Sequence, residues 1–563
     1  MRREASVVNK KVCSFPVLFA LLALLIGTCA VVFPASAQAA PTSNGSITVS
    51  GTVARSYDAY QIFSANVVDG DSDAKVATDL AWASDAVRDA ALPVLHSAGI
   101  SKSQTTAQEA AEWLNTDSHL TSALSAQLAR SLQSSGAVSV ALNAGTAAEL
   151  PCGYWLIVAK DDAIAQGEAG TAPIMALVGG SAVTVKPKAA TPKVSKHVLE
   201  DSTAAWQKAA DATVADDLCW RLSATVPAGL TAYDTYTVQF VDTMSAGLDP
   251  SKVAASMHVY VAAGADGGFG AVSTDKDGRV GTEPAKGWTD ITAQCATKVA
   301  ADGKTFTVRT GDLIAALGGA DAFIAGARVV AVYNAPLNSA CNHGIAKGNP
   351  NEVYLRYPRS PFADQSGEAG FTRTPSDNAC AYTWDLALTK RGSDGDKPLA
   401  GAVLSITDDR GRTLAADGTW DAEGKATVTT GEDGRVTVSG VDSGKLEVRE
   451  IKAPKGYTAF EGTRSVTVKA EGLDVDQVAA AKPKLTITAE SPLRADSADG
   501  STGSLEASLI NTPTGTPPSI TTGGFMPSTG DMAMYAAAAA AVAGAALIAV
   551  ALLVKRGGGS HKE

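Results

Sequence analysis

The sequence predicts a multidomain, mainly β chain: an α+β domain, then two β-sandwich domains, then a C-terminal apolar helix. Three observations predict it. The 563 residues exceed what one ordinary hydrophobic core organises. From Lys193 to Asn511, alternating apolar and polar runs are separated by Gly, Asp and Pro turns, the pattern of sandwich strands. Helix-prone stretches, Ala74 to Val94 and Thr106 to Ser134, stand ahead of that region and place an α+β domain first.

Taken in order, residues 1–39 carry a basic start (Arg2, Arg3, Lys10, Lys11), an apolar run from Phe15 to Val32, and small residues at Ala35, Ala37 and Ala39. That is the layout of a secretory leader cleaved near Ala39 or Ala40. Residues 40–188 form the α+β domain. It opens with strands at Ser46 to Val53 and Ser56 to Phe63, and closes with Tyr154 to Ala159, Ile174 to Val178 and Ala182 to Val185. Residues 189–378 form the first sandwich, with strands at Asp217 to Val226, Tyr233 to Asp242, Ser256 to Ala262, Thr305 to Val308, Ala327 to Tyr333 and Glu352 to Tyr357. Residues 379–512 form the second, with Ala402 to Thr407, Arg435 to Ser439, Lys445 to Ile451 and Ser465 to Lys469. Residues 513–525 are a Pro-, Thr- and Gly-rich spacer. Residues 526–563 end the chain, with an apolar span at 532–554 followed by Lys555, Arg556 and Lys562. That order fits a transmembrane helix with a basic cytoplasmic stop.

Composition excludes several classes. A net charge of -11 leaves no electrostatic footprint for nucleic acid. The six histidines form no paired ligand spacing, and no nucleophile elbow or phosphate loop is present. The expectation is a chain that is not a turnover enzyme and needs no cofactor or metal. The acidic run Asp69, Asp71, Asp73 lacks the Gly and twelfth-position Glu of a calcium loop and reads as a solvated turn. Beyond the leader stand Cys152, Cys219, Cys295, Cys341 and Cys380. Export permits disulfides, but an odd count leaves one over and the pairing open.

Two sets of polar residues fall on apolar strand faces. Lys196 shares a face with Val194 and Val198, Asp242 with Val238 and Phe240, Asn351 with Val353 and Leu355. The second sandwich repeats the theme: Lys390 with Leu386 and Leu388, Glu450 with Leu446 and Val448, Asn511 with Leu509. An isolated buried charge or amide is costly. Alternation alone favours an ordinary buried Lys–carboxylate pair, or edge residues pointing to solvent.

Family resemblance changes that weighing. Met526-Pro527-Ser528-Thr529-Gly530, ahead of the apolar span and basic tail, resembles the LPxTG signal of sortase substrates, with Met526 in place of Leu. SYDAYQIF, GYWLIV, VDTMSAGL, GNPNEVYLRY, LTKRG with LAGA, and VREIKAPKGY resemble, in this order, the landmarks of sortase-assembled Gram-positive major pilins. The resemblance implies CNA-type, Ig-like sandwiches and an intramolecular isopeptide bond in each: Lys196–Asn351 assisted by Asp242, and Lys390–Asn511 assisted by Glu450, joining first and last strands. Glu450 also lies in a segment resembling the pilin E-box, which links shafts to accessory subunits. Val183-Thr184-Val185-Lys186-Pro187-Lys188 resembles the pilin motif V-x-V-Y-P-K. Lys186 stands at its Tyr, and Gly179 at the place of an upstream Trp. By carry-over Lys188 accepts the acyl group of Thr529, with Lys186 and Lys193 as rivals.

The resemblance further implies a secreted protein anchored to cell-wall peptidoglycan, retained briefly in the membrane before sorting. Its partners would be pilin-type and housekeeping sortases, further copies of itself head to tail, accessory pilins and a host-surface ligand. A wall-anchored adhesin or minor pilin that never polymerises is the alternative, and a surface hydrolase is disfavoured.

Overall fold

A computed structural model describes residues 43–515, except 52–54, 72–73, 117, 162–163, 165–166, 188–190, 229, 265–286 and 325. The expected leader, Lys188, the pentapeptide Met526 to Gly530 and the apolar span 532–554 lie outside the described residues. Among the described residues, no helix is long and apolar enough to cross a membrane.

The chain is mainly β, as its alternation predicts. The long strand Ser56–Asp69 organises the first body, pairing with Lys75–Trp82, Gly153–Ala159 and Ser139–Asn143, with Ile174–Val178 beyond. Helices Asp85–Ala98 and Ser122–Ser135 pack Val87, Leu95, Leu128 and Leu132 onto Tyr60, Ile62, Leu156 and Val158 on one face of this sheet. On the other face, Tyr57, Ala59, Trp155 and Ile157 meet Ile47 and Val49 of a three-stranded sheet. Being covered on both faces, Gly153–Ala159 is apolar at nearly every position rather than at alternate ones.

Two expectations shift here. The helix predicted from Ala74 starts only at Asp85, where the Ser84 side chain accepts from the Val87 amide. Residues Lys75–Trp82 are instead a strand of mixed exposure along one edge of the sheet. The stretch from Thr106 is two helices, Ala107–Asn115 and Ser122–Ser135, each with its own Thr cap at Thr106 and Thr121.

The second body is two facing sheets. One runs in the order Ala205–Gln207, Val194–Glu200, Cys219–Thr225, Arg328–Asn334, His258–Ala262, Trp288–Asp290. The other runs Ala209–Asp211, Asp377–Tyr382, Asn349–Pro358, Gln239–Met244, Thr305–Arg309, Ala296–Val299. Trp220, Leu222, Val329 and Ala331 from the first interdigitate with Phe240, Phe306, Val353 and Leu355 from the second. The strand expected from Tyr233 begins at Gln239. Ahead of it, side chains take the amides a strand ladder would use: Asp312 accepts from Tyr236, Gln365 from Thr237 and Thr310 from Val238.

In the third body, Trp384–Gly392 lies between Arg435–Val441 and Ser504–Pro513. Its pairing with Ser504–Pro513 is parallel, Lys390 opposite Leu509 and Gly392 opposite Asn511. The facing sheet centres on Val403–Thr407, Gly444–Lys452 and Thr463–Glu471.

The second and third bodies share a strand. Along Asp377–Tyr382, Ala379 and Ala381 enter the second core while Cys380 and Tyr382 enter the third. Across the same junction, Asp211 accepts from the Trp384 indole at 2.6 Å and from the Ser443 amide and hydroxyl. Asp216 receives both Arg410 and Arg412.

Candidate functional site

Each set of Lys, acid and Asn converges in the core of its own sandwich. Lys196 enters from Val194–Glu200, directly across from Leu222, with its Nζ 5.4 Å from the Trp220 ring centre and 5.5 Å from that of Tyr333. Asp242 enters from Gln239–Met244, in the facing sheet. Asn351, on the neighbouring strand, sits across from Met244. All three are 0% exposed. The Asn351 strand is not the last of its sandwich, since Phe371–Arg373 and Asp377–Tyr382 follow it in the same sheet. A bond from Lys196 to Asn351 would therefore tie one sheet to the other, not the first strand to the last.

Counting polar partners defines the first site. Lys196 Nζ donates to Asp242 Oδ2 and, at 2.8 Å, to the Tyr333 hydroxyl. That hydroxyl donates to Asp242 Oδ2 at 3.0 Å and accepts from Asn351 Nδ2 at 2.9 Å. Asp242 Oδ1 and Asn351 Oδ1 have no partner among the described residues. Burial pulls the Lys196 amine down to about 8, against the opposing pull of Asp242. Burial also pushes the Asp242 carboxyl up, although Lys196 and Tyr333 pull it down. A desolvated pair is thus driven toward neutral amine and neutral acid.

The second site is built from other contacts. Lys390, with Leu386 and Leu388 on its face, is 0% exposed, and its Nζ donates to the Leu509 carbonyl at 3.3 Å. Glu450 Oε1 lies 3.6 Å from that Nζ. Asn511 Nδ2 donates to both Glu450 oxygens, at 2.9 and 3.0 Å, and the Phe460 amide holds Oε2 at 3.1 Å. Burial pulls Lys390 down to about 8, with Glu450 pulling the other way. Asn511 Oδ1 has no partner among the described residues. Here the Lys and Asn strands are the first and last of the body, and they are neighbours.

In both sites a buried amine whose charge burial disfavours stands beside a carboxyl group and an Asn whose carbonyl oxygen has no donor among the described residues. An unsatisfied buried acceptor costs about 1–3 kcal/mol, and its appearance at the same atom twice fits a group placed to react. Tyr333 is the residue that sequence reasoning missed. The signal was present, because Val329, Ala331 and Tyr333 share the inward face of one strand, and a buried phenol needs a partner.

The other singled-out residues lie elsewhere. Lys186 and Lys193 are exposed on either side of the residues not described at 188–190. Asp69 is a clasp: it accepts from the Ser181 amide and hydroxyl and pairs with Lys75 at 3.1 Å. The five cysteines among the described residues are free, with Cys152, Cys219 and Cys380 buried.

Residues 385–482 match the SpaA prealbumin-like fold domain family. Over 143 residues the chain is 29% identical to a trypsin-resistant surface T6 protein of Streptococcus pyogenes serotype M6, spanning 24% of this chain and 24% of that protein. The chain thus matches about a quarter of the length of this curated relative. Among solved structures, the T6 backbone pilin of serotype M6 Streptococcus pyogenes aligns at 17% identity and TM-score 0.46, over 85% of this chain and 100% of that one. The full-length major pilin SpaD of Corynebacterium diphtheriae aligns at 15% identity and TM-score 0.40, over 85% and 100%.

Proposed function

We propose that this chain, which carries a SpaA prealbumin-like domain and is related in part to a streptococcal surface protein, is the structural subunit of a covalently polymerised surface pilus. The observation that carries the reading is the pair of buried Lys–acid–Asn sets, each built across strands distant in sequence.

The chemistry is a single transamidation in each sandwich. The Lys amine, its charge disfavoured by burial, attacks the Asn side-chain carbonyl carbon. The acid takes the proton that the amine gives up and returns one toward the departing nitrogen. One C–N bond forms, another breaks, and ammonia leaves. Each site reacts once, so the chain is a structural subunit and not a turnover enzyme.

Assembly rests on the segments that flank these sandwiches. A pilin-type sortase would cleave after Thr529 and pass its acyl group to Lys188 of the next copy. A housekeeping sortase would pass the last one to peptidoglycan. Accessory pilins and a host-surface ligand complete the expected partners. The test of the whole reading is the mass of the mature, denatured, reduced protein, which should fall short of its sequence by two ammonias. A mass equal to the unmodified sequence would sink it.

A further inference from the structure

The two acids differ by one methylene, and the two sites bridge that difference in different ways. Glu450 reaches the Asn511 amide nitrogen with both oxygens. Among the described residues, Asp242 makes no hydrogen bond to Asn351. The Tyr333 hydroxyl fills the gap, within 2.8 Å of Lys196 Nζ, 3.0 Å of Asp242 Oδ2 and 2.9 Å of Asn351 Nδ2. It touches both reacting nitrogens and the acid at once. The ring is held in place: Tyr333 is 1% exposed, packs edge-on against Phe306 at 4.8 Å, and sits directly across from Trp220 on the neighbouring strand. In the second site, no hydroxyl bonds Lys390, Glu450 or Asn511 among the described residues.

We propose that Tyr333 is a catalytic residue of the first crosslink, relaying the proton that the shorter Asp242 cannot deliver to Asn351 itself. The inference rests on the crosslinking reading and deepens it. As Lys196 Nζ bonds to the Asn351 carbonyl carbon, Nδ2 loses its amide conjugation and gains a lone pair. The Tyr333 hydroxyl then turns from accepting at Nδ2 to donating to it. It gives its own proton to Nδ2 and takes one from Asp242. Asp242 is restored by the proton lost from Nζ, and Nδ2 departs as ammonia. Protons and bonds balance with no further reactant. Burial and Asp242 hold the phenol well above its usual pKa, so the two transfers are handed over together without a free phenolate.

The test follows each crosslink separately in the full chain, by peptide mass at intervals after synthesis is stopped, with the second bond as an internal reference. In Tyr333→Phe the first bond should form roughly a hundredfold more slowly or worse, with the second unaffected. Adding Asp242→Glu to Tyr333→Phe should restore the first bond, because Glu reaches the amide as Glu450 does. A fluorinated tyrosine at 333 keeps shape and hydroxyl while making the phenol more acidic, and should change the rate of the first bond alone. An unchanged rate in Tyr333→Phe, or with the fluorinated residue, overturns the relay and leaves the crosslinking reading standing. Absence of the Lys196–Asn351 bond from the wild-type chain overturns the crosslinking reading instead.

Discussion

Lys390 is a charged residue in a place where charge is expensive, and desolvation wins over the nearby carboxylate. This competition sets the pH dependence of bond formation. With the amine near 8, the rate of the second crosslink should fall roughly tenfold for each pH unit below that value. Mass measured over time in a newly synthesised chain checks this, and a flat profile from pH 6 to 8 would contradict it. In Asn511→Ala the lysine stays free, one ammonia fewer is lost, and the loop-closing benefit of a few kcal/mol disappears, so melting comes earlier. The folded state of that variant holds Lys390 below its ordinary 10.5. Between about 8 and 10.5 the unfolded chain therefore binds more protons, and stability should rise with pH across that window.

At the scale of elements, the shared strand Asp377–Tyr382 couples two cores through its alternate residues. Asp211→Ala would leave the Trp384 indole without its buried acceptor and should cost about 1–3 kcal/mol without touching either crosslink, which melting and mass together would separate. Glu200, beside this junction, has its carboxyl raised to about 7 by burial and by Asp211, with Asp201 adding to the rise and Ser202 opposing it. The folded chain thus binds more protons than the unfolded one between about 4.5 and 7. Glu200's contribution is fully present below that window and lost as pH rises through about 7. Glu200→Gln should flatten that part of the curve of melting temperature against pH.

These elements also mark what was legible in the sequence. Sandwich strands were readable because one face of each is buried and alternation records it, which put Lys196, Asp242, Asn351, Lys390, Glu450 and Asn511 on apolar faces while leaving open whether they turned inward or lay at a solvent edge. Lys75–Trp82 was not, because a half-exposed edge strand holding Ala77, Leu80 and Ala81 beside Lys75 and Asp79 looks helical until its partner is known. The run ahead of Gln239 misled because its amides bond to side chains far along the chain. Tyr333 escaped because its partners come from three other strands.

For the whole molecule, a bond from Thr529 to Lys188 of the next copy would be a heterologous contact that does not close, and would generate an open filament. Wall extracts should give a ladder that survives boiling in detergent and reductant. Lys188→Ala should collapse it to monomer while both internal bonds still form. Lys186→Ala and Lys193→Ala are the controls, and loss of the ladder only with one of them would move the acceptor. No ladder from cells expressing the protein and its sortase would favour the adhesin.

The parallel pairing of Trp384–Gly392 with Ser504–Pro513 has a mechanical consequence. The chain enters at the start of one strand and leaves from the end of the other, so tension shears the pair along its length and cannot peel it bond by bond. A Lys390–Asn511 link would short-circuit the body: force would pass from residue 390 straight to 511. The residues between them, worth roughly 400 Å at about 3.4 Å each when extended, would hang off the line as slack that is never drawn out. With entry at Lys188, residues 43–187 would hang off it as well, leaving the first body free to unfold and refold while the filament holds its length.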